Sequence, residues 1–432
     1  MTDEAKVALQ TLDDRIEHPL RRSLMDEVHA RPSLGLSAPA VLFHFAWLGE
    51  QASESIAALC RQHHQPEPTP ERRHGLIQQM EGWIKWECHT EFVTCCFLRP
   101  DHASDDLWPA LPTDIGQFVC GLPGNCLVAL ILRVAADQPD RFETRRLVRI
   151  FPSGDLVGSS IGGGDGMVWT DFYLDPSGFG RILVRNIGMT PGRLGRAVQR
   201  LLEVETYRMM ALLGLPVART VSDELGQLEK RLTTIAARTA DTKRPEDDHD
   251  LLDQLTRIAA EAAALSARSR YRFSATAAYA QLVEKRLSEL REDRIDGLSR
   301  VGAFLERRFH PATRTCDSCV RRMDVLAASI DQAADMLRTR VDVNLEAQNS
   351  SLLRAMESRS RTQLRIQEAV EGLSVFAISY YLIGLIKVLA EGALPDDGGH
   401  HGQVIAAIAV PIVLIAVWLA MRRLRRVLKN GH

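Results

Sequence analysis

Residues 83–98 hold the side chains best suited to chemistry. Read as one strand, the stretch alternates. Lys85, Glu87, His89 and Glu91 share one face, and Ile84, Trp86, Cys88 and Phe92 share the other. A Glu-x-His-x-Glu face can hold a divalent cation or position a proton. Paired charges on a solvated sheet face account for the same pattern. A second candidate is Cys316-Asp317-Ser318-Cys319. The surrounding pattern places it at the start of a long helix, where a thiol's pKa is lowered. A lone C-x-x-C serves as a redox pair or as half a zinc site. Zinc asks for four ligands and only His310 stands nearby, so structural thiols are the simpler account of the pair. A third group, Glu391, Asp396, Asp397, His400 and His401, lies in a short segment near the C-terminus and would attract cations. The metal candidates are therefore Glu87, His89, Glu91, Asp396, Asp397, His400 and His401. A divalent cation is the one cofactor they suggest.

Other features argue against particular functions. Gly158–Gly166 is rich in glycine, yet it lacks the Gly-Lys-Ser/Thr ending that opens a helix in a phosphate loop. It reads as a hairpin loop leading into a strand over 167–173, and no nucleotide is expected. Lys and Arg number 53 against 55 Asp and Glu, which argues against a dedicated nucleic-acid binder. The eight cysteines show no disulfide framework, as suits a reducing compartment. The opening residues MTDEAKVALQ carry acidic side chains and no apolar run, so no signal peptide is expected.

The elements that must position these groups fall into two classes. After Pro19, Leu20, Leu24 and Val28 repeat every four residues and predict a short helix that stops at Arg31-Pro32. His29 and Arg31 would sit at its C-terminal end, favourable for cations. Strands are expected at 41–48, 74–80, 83–98, 126–135, 144–151 and 181–186, with helices at 54–63 and 105–120. Residues 1–190 thus form an α+β cytoplasmic domain. From Pro191 the pattern is helical, with helices at about 191–213, 217–239, 249–308 and 314–389 separated by short breaks. Residues 191–372 read as a helical stalk of antiparallel neighbours. Val341 and Leu352, and Leu345 and Met356, recur at 11 residues, the period of a straight or slightly right-handed coiled coil. That stripe suits either the axis of a homo-oligomer or the seam of a bundle.

The stalk runs into an apolar segment at 373–389, and a second follows at 404–421. At about 17 and 18 residues they lie at the short end of the range that spans a bilayer. Arg359, Arg361 and Arg365 precede the first; Arg422, Arg423, Arg425, Arg426 and Lys429 follow the second. The outer loop at 390–403 holds no Lys or Arg. The positive-inside rule then places both termini, including the basic tail at 422–432, in the cytoplasm. Lys387 sits at the outer end of the first span, where its amine can snorkel.

Three stretches carry a resemblance. They are Glu27-Val28-His29-Ala30-Arg31-Pro32, the run from Gln199 to Pro216, and the segments Thr339-Arg340-Val341-Asp342-Val343-Asn344 and Val370-Glu371-Gly372-Leu373-Ser374. Together they resemble a bacterial family of uncharacterised membrane-anchored proteins, a domain of unknown function. The resemblance covers nearly the whole chain. It implies a bacterial inner-membrane protein and brings no catalytic residues. The layout alone is also similar to CorA-type magnesium channels: a cytoplasmic α/β domain, a long helix entering the first span, a short outer loop, a second span and a basic tail. Those carry Gly-Met-Asn at the outer end of the first span; this chain has Tyr380-Tyr381-Leu382-Ile383-Gly384-Leu385-Ile386-Lys387 there. A ring of Lys387 amines would repel cations. In that reading Glu371, Ser374, Ile378, Tyr381 and Leu385, spaced by three or four, would line the pore.

The expectation is thus a membrane-anchored homo-oligomer with a cytoplasmic sensing or scaffolding domain, and no enzymatic activity. A CorA-like divalent-cation channel is the alternative, and an enzyme built on Glu87, His89 and Glu91 a third reading.

Overall fold

The computed structural model describes residues 18, 20, 21, 24, 25, 35–49, 51–101, 107–138, 142–151, 153, 155–241, 245–393 and 401–429. The helix expected after Pro19 lies largely outside them, as do His29 and Arg31. By its contacts the chain divides into two units. The first comprises residues 1–240 and 253–333, and the second 241–252 and 334–432.

The first unit is built on a nine-stranded sheet of order β2-β3-β4-β1-β5-β8-β7-β6-β9. The strands are β1 (Ala40–Leu48), β2 (His74–Gln79), β3 (Gly82–Cys88), β4 (Phe92–Pro100), β5 (Asn125–Ala135), β6 (Val157–Ile161), β7 (Gly166–Thr170), β8 (Gly180–Asn186) and β9 (Asp293–Arg294). All pairings are antiparallel except β5 with β8. β1 is central, and its side chains are buried on both faces, which is why it reads as a continuous apolar run. One face, with Phe43, Phe45 and Trp47, packs with α1 (Ala52–Gln62) and α2 (Thr113–Gly121). The other, with Leu42, Leu130 and Leu132, packs with α4 (Pro191–Leu212). Leu194, Val198, Leu201 and Met210 supply that helix's apolar stripe, and Pro191 occupies the first turn, where no amide partner is needed. An α+β unit is thus present, yet residue 190 does not bound its core, because α4 shares that core with the sheet.

Several elements differ from expectation for physical reasons. The single strand at 83–98 is two strands. The chain turns at His89–Glu91, where the His89 amide donates to the Phe92 carbonyl at 2.8 Å. The turn shifts the alternation by one residue: Phe92, Thr94 and Cys96 lie on the face of Lys85 and Glu87, so Phe92 is not on the face of Ile84 and Trp86 as a single strand implied. Residues 144–151 are not a strand but a short helix, α3 (Thr144–Ile150). Leu147 and Phe151, four apart, are buried against Trp169 and Leu183 while Arg145, Arg146 and Arg149 face solvent. The helix expected at 105–120 is confined to α2; residues 107–112, with Pro109 and Pro112, stay non-helical. Residues 157–161 form β6 rather than loop, and the hairpin turn is Gly162-Gly163-Gly164-Asp165.

The helical region begins earlier than expected at α5 (Gly214–Asp241). The helix expected at 249–308 is three elements: α6 (Pro245–Leu290), β9 and α7 (Val301–Arg308). The break follows Arg291, which has a φ of 50°, and lets β9 extend the sheet edge beside β6. The last long helix, α8 (His310–Ala393), has 84 residues. In the first unit, Arg322 forks onto Glu229 at 3.0 and 2.8 Å, and Cys316, Cys319, Met323, Leu326 and Ile330 are buried.

In the second unit, the fully buried Asp248 accepts from Asn344 at 3.2 Å and lies 3.3 Å from Arg340. Further along α8 the side chains are open: Leu345, Leu352 and Met356 of the 11-residue stripe are all more than half exposed. The second unit ends in α9 (His401–Lys429).

Gly82 sets the register that brings β3 to the site. Its φ is 142°, and a Cβ there would lie 1.9 Å from the Leu98 carbonyl oxygen. Gly82→Ala is expected to destabilise the fold by roughly 2 kcal/mol or more, read as a lower denaturation midpoint by tryptophan fluorescence. An unchanged midpoint would contradict the register.

Candidate functional site

Cross-strand register assembles the site. Lys85 on β3 lies opposite Cys96 on β4, and Cys96 lies opposite His44 on β1; in the next row Glu87 faces Thr94. Residues directly opposite in a sheet point to the same side, so these polar groups make one patch. α4 lies across it with Val198, Gln199, Leu202, Glu203, Thr206 and Tyr207, spaced three and four apart. A cavity of about 60 Å³ remains between helix and sheet, with Leu36, Leu42 and Phe92 among its apolar lining.

His44 is buried, 6% exposed. Its Nε2 is 2.9 Å from Thr206 Oγ1. With the Thr206 hydroxyl donating its one hydrogen to the Leu202 carbonyl at 2.9 Å, its oxygen accepts from His44. Nε2 therefore carries the proton and Nδ1 is a bare acceptor. Among the described residues Nδ1 has no hydrogen-bond partner and is sealed from solvent. Burial lowers the imidazole pKa to about 4, with Lys85 and His89 assisting and Glu87 opposing. The ring is neutral at ordinary pH.

Glu87 is the charged centre of the rim. Lys85 Nζ is 2.9 Å from one carboxylate oxygen and His89 Nε2 is 3.5 Å from the other. Burial would raise its pKa, but the His89 and Lys85 contacts outweigh burial and hold the carboxyl well below its usual range. The His89 ring stacks on Phe92 at 4.2 Å. Burial pushes the Cys96 thiol up to about 12, with Glu87 adding to the rise and Lys85 opposing it. Cys96 thus stays protonated and is no thiolate nucleophile.

The structure brings together Glu87 and His89, as the alternation implied, and engages Glu91 with different partners. Glu91 accepts from Arg272 Nη2 at 3.0 Å and from the Tyr279 hydroxyl at 2.9 Å. Burial and then Glu91 raise the Tyr279 pKa, so that phenol remains a donor. Among the described residues no three His, Cys, Asp or Glu side chains are grouped so as to hold a metal ion. Asp396, Asp397 and His400 lie outside the described residues, and His401 opens α9. Cys316 and Cys319 are buried within α8, beyond its first turn. Burial, followed by Cys319 and Asp317, pushes Cys316 up to about 11, and the Cys319 thiol donates to the Ala218 carbonyl at 3.4 Å. His310 lies 3.5 Å from Glu284. The glycine turn is held by Arg193, which binds Asp165 at 2.6 Å and the Gly162 carbonyl at 3.0 Å.

On α8 the expected pore stripe is mixed: Glu371 and Ser374 are half-buried, while Ile378, Tyr381 and Leu385 are exposed. Ser379, outside that stripe, is buried. His44, Thr206 and Tyr207 escaped the sequence reading. The one signal for His44 was an imidazole within the otherwise apolar run Ala40–Leu48.

The chain belongs to the family described as protein of unknown function (DUF3422), whose model matches residues 16–428. No curated protein and no solved structure matches it.

The neutral His44 makes stability pH-dependent. Its folded pKa of about 4 lies below the ordinary 6.5, so the unfolded chain takes up the proton first. The associated stability is intact above 6.5 and falls as pH drops toward 4, by up to roughly 3 kcal/mol. Glu87 acts elsewhere: its stabilisation holds above 4.5 and is lost only as pH falls through its lower folded value. Denaturation midpoints between pH 7.5 and 5 should fall for the wild type and be nearly flat for His44→Gln. Parallel profiles would contradict a neutral, buried His44.

Proposed function

We propose that this protein is a membrane-anchored, homo-oligomeric protein of the bacterial inner membrane whose sheet-and-helix unit serves as a cytoplasmic sensing or scaffolding module. The observation that carries the reading is the foot of α8. Among the described residues one helix is long and apolar enough to cross a membrane, and only 6% of its 18-residue apolar window is buried. Leu373, Phe376, Tyr380, Tyr381, Leu385, Val388 and Leu389 are each more than 60% exposed. Leaving such side chains in water forgoes about 1.5–3 kcal/mol apiece, in sum comparable with the roughly 5–15 kcal/mol stability of a whole domain. Lipid removes that penalty.

The apolar part of α9, Val410–Ala420, is shorter. It is read as the return span because Arg422 and Arg423 follow it directly, as arginines precede the first span. That charge pattern favours cytoplasmic termini. The exposed Leu345, Leu352, Leu353 and Met356 of α8 are suited to a second copy of the same helix. A channel in which α8 lines a cation path is a narrower form of this reading. It draws on the uncovered side chains Ile378, Tyr381 and Leu385, and it predicts cation flux that changes on Glu371→Ala.

Fractionation tests the anchor. The full chain should stay in the membrane pellet through an alkaline carbonate wash. Replacing Ile378, Leu382 and Leu385 together by Asp should release or destroy that pool, since each acid costs about 2.5–3.5 kcal/mol within a span. Wild-type protein in the wash supernatant would sink the reading.

A further inference from the structure

The cavity under α4 has three properties that together specify a ligand. Its rim is charged but already balanced. Lys85 lies 2.9 Å from Glu87, and Glu203 is engaged by Arg286 and by Gln199. Its remaining lining is largely apolar, with Leu36, Leu42, Phe92 and Leu202. The third property is one acceptor, His44 Nδ1, that lines up with no donor among the described residues and meets no solvent.

A buried acceptor without a partner is costly, and fully packed cores avoid one. Here the residue that carries it is one of those lining a space between helix and sheet. The Nε2–H···Thr206 bond fixes the ring, so Nδ1 cannot turn away to find a donor without breaking that bond. A charged ligand would have to shed its water without finding a free counter-charge. We propose that the cavity between β1, β3, β4 and α4 binds a small uncharged molecule with an apolar body and one N–H or O–H donor, seated with that donor on His44 Nδ1. A water needs roughly 10–15 Å³ of such space, so a cavity of about 60 Å³ admits a molecule of about five non-hydrogen atoms. The inference rests on reading the sheet-and-helix unit as the sensing part of the protein. It does not depend on the anchor.

The test uses the full chain in detergent with ¹⁵N-labelled histidines. The probe is pyrazole, a small neutral ring with one N–H, and the control is isoxazole, a ring of the same size with none. Pyrazole should shift the His44 Nδ1 resonance saturably, and isoxazole should bind roughly tenfold more weakly or worse. His44→Gln keeps a donor for Thr206 and removes the Nδ1 acceptor. Followed by saturation transfer from protein to ligand, its affinity for pyrazole should fall to that for isoxazole. Should that variant not fold, Val198→Phe fills the cavity while leaving His44 in place, and must abolish the pyrazole shift. Equal binding of the two rings, no saturable shift, a shift that survives Val198→Phe, or a bound water that pyrazole does not displace would each overturn the proposal. A chain that failed to anchor would be seen by fractionation and would leave this outcome unaffected.

Discussion

One hydrogen-bonded chain joins the central strand to the helix that covers it: His44 to Thr206, and Thr206 to the Leu202 carbonyl one turn back. β1 lies between β4 and β5 and is buried on both faces, so a polar side chain there must find its partner on the covering helix. Thr206 can serve because its single hydrogen is already committed within its own helix. The assignment of every proton in the chain then follows. It leaves His44 neutral and its other nitrogen bare. Charges at the rim are secured separately, by Lys85 and His89 on Glu87 and by Arg286 on Glu203.

Part of this was legible in the sequence. Period-2 alternation correctly put Lys85 and Glu87 on one face, because both belong to β3. It failed at Glu91 and Phe92, since nothing in the alternation marks a turn at His89–Glu91 that shifts the phase by one residue and brings Phe92 onto the face of Lys85 and Glu87. It failed again at residues 144–151, where Leu147 and Phe151 fit a strand and a helix equally over so short a run; tertiary burial against Trp169 decided for the helix. His44 was invisible for a different reason. A histidine in a buried apolar strand reads as core until the threonine that engages it, 162 residues away, is placed opposite. Thr206 and Tyr207 likewise look like interruptions of a helical stripe until α4 meets the sheet.

The long helix was the most legible element, and its environments change along its length. Cys316, Cys319, Met323, Leu326, Ile330 and Leu337 follow a buried stripe, and from Val343 onward most of the large apolar side chains are exposed. A stripe that persists in sequence while losing its cover in the fold asks for another surface. Between 343 and 366 charged residues alternate with the apolar ones, and from 373 the charges thin out; the proposed second copy and bilayer would supply that surface. The buried thiols of Cys316 and Cys319 are part of the packing above that transition.

The state of the His44 ring tests the account most directly. ¹⁵N shifts of the two imidazole nitrogens, read on the full chain at pH 6 without added ligand, distinguish all three forms. The ring should be neutral and protonated at Nε2, with Nδ1 at the shift of a bare nitrogen. A doubly protonated ring, or a neutral ring carrying its proton on Nδ1, would contradict it.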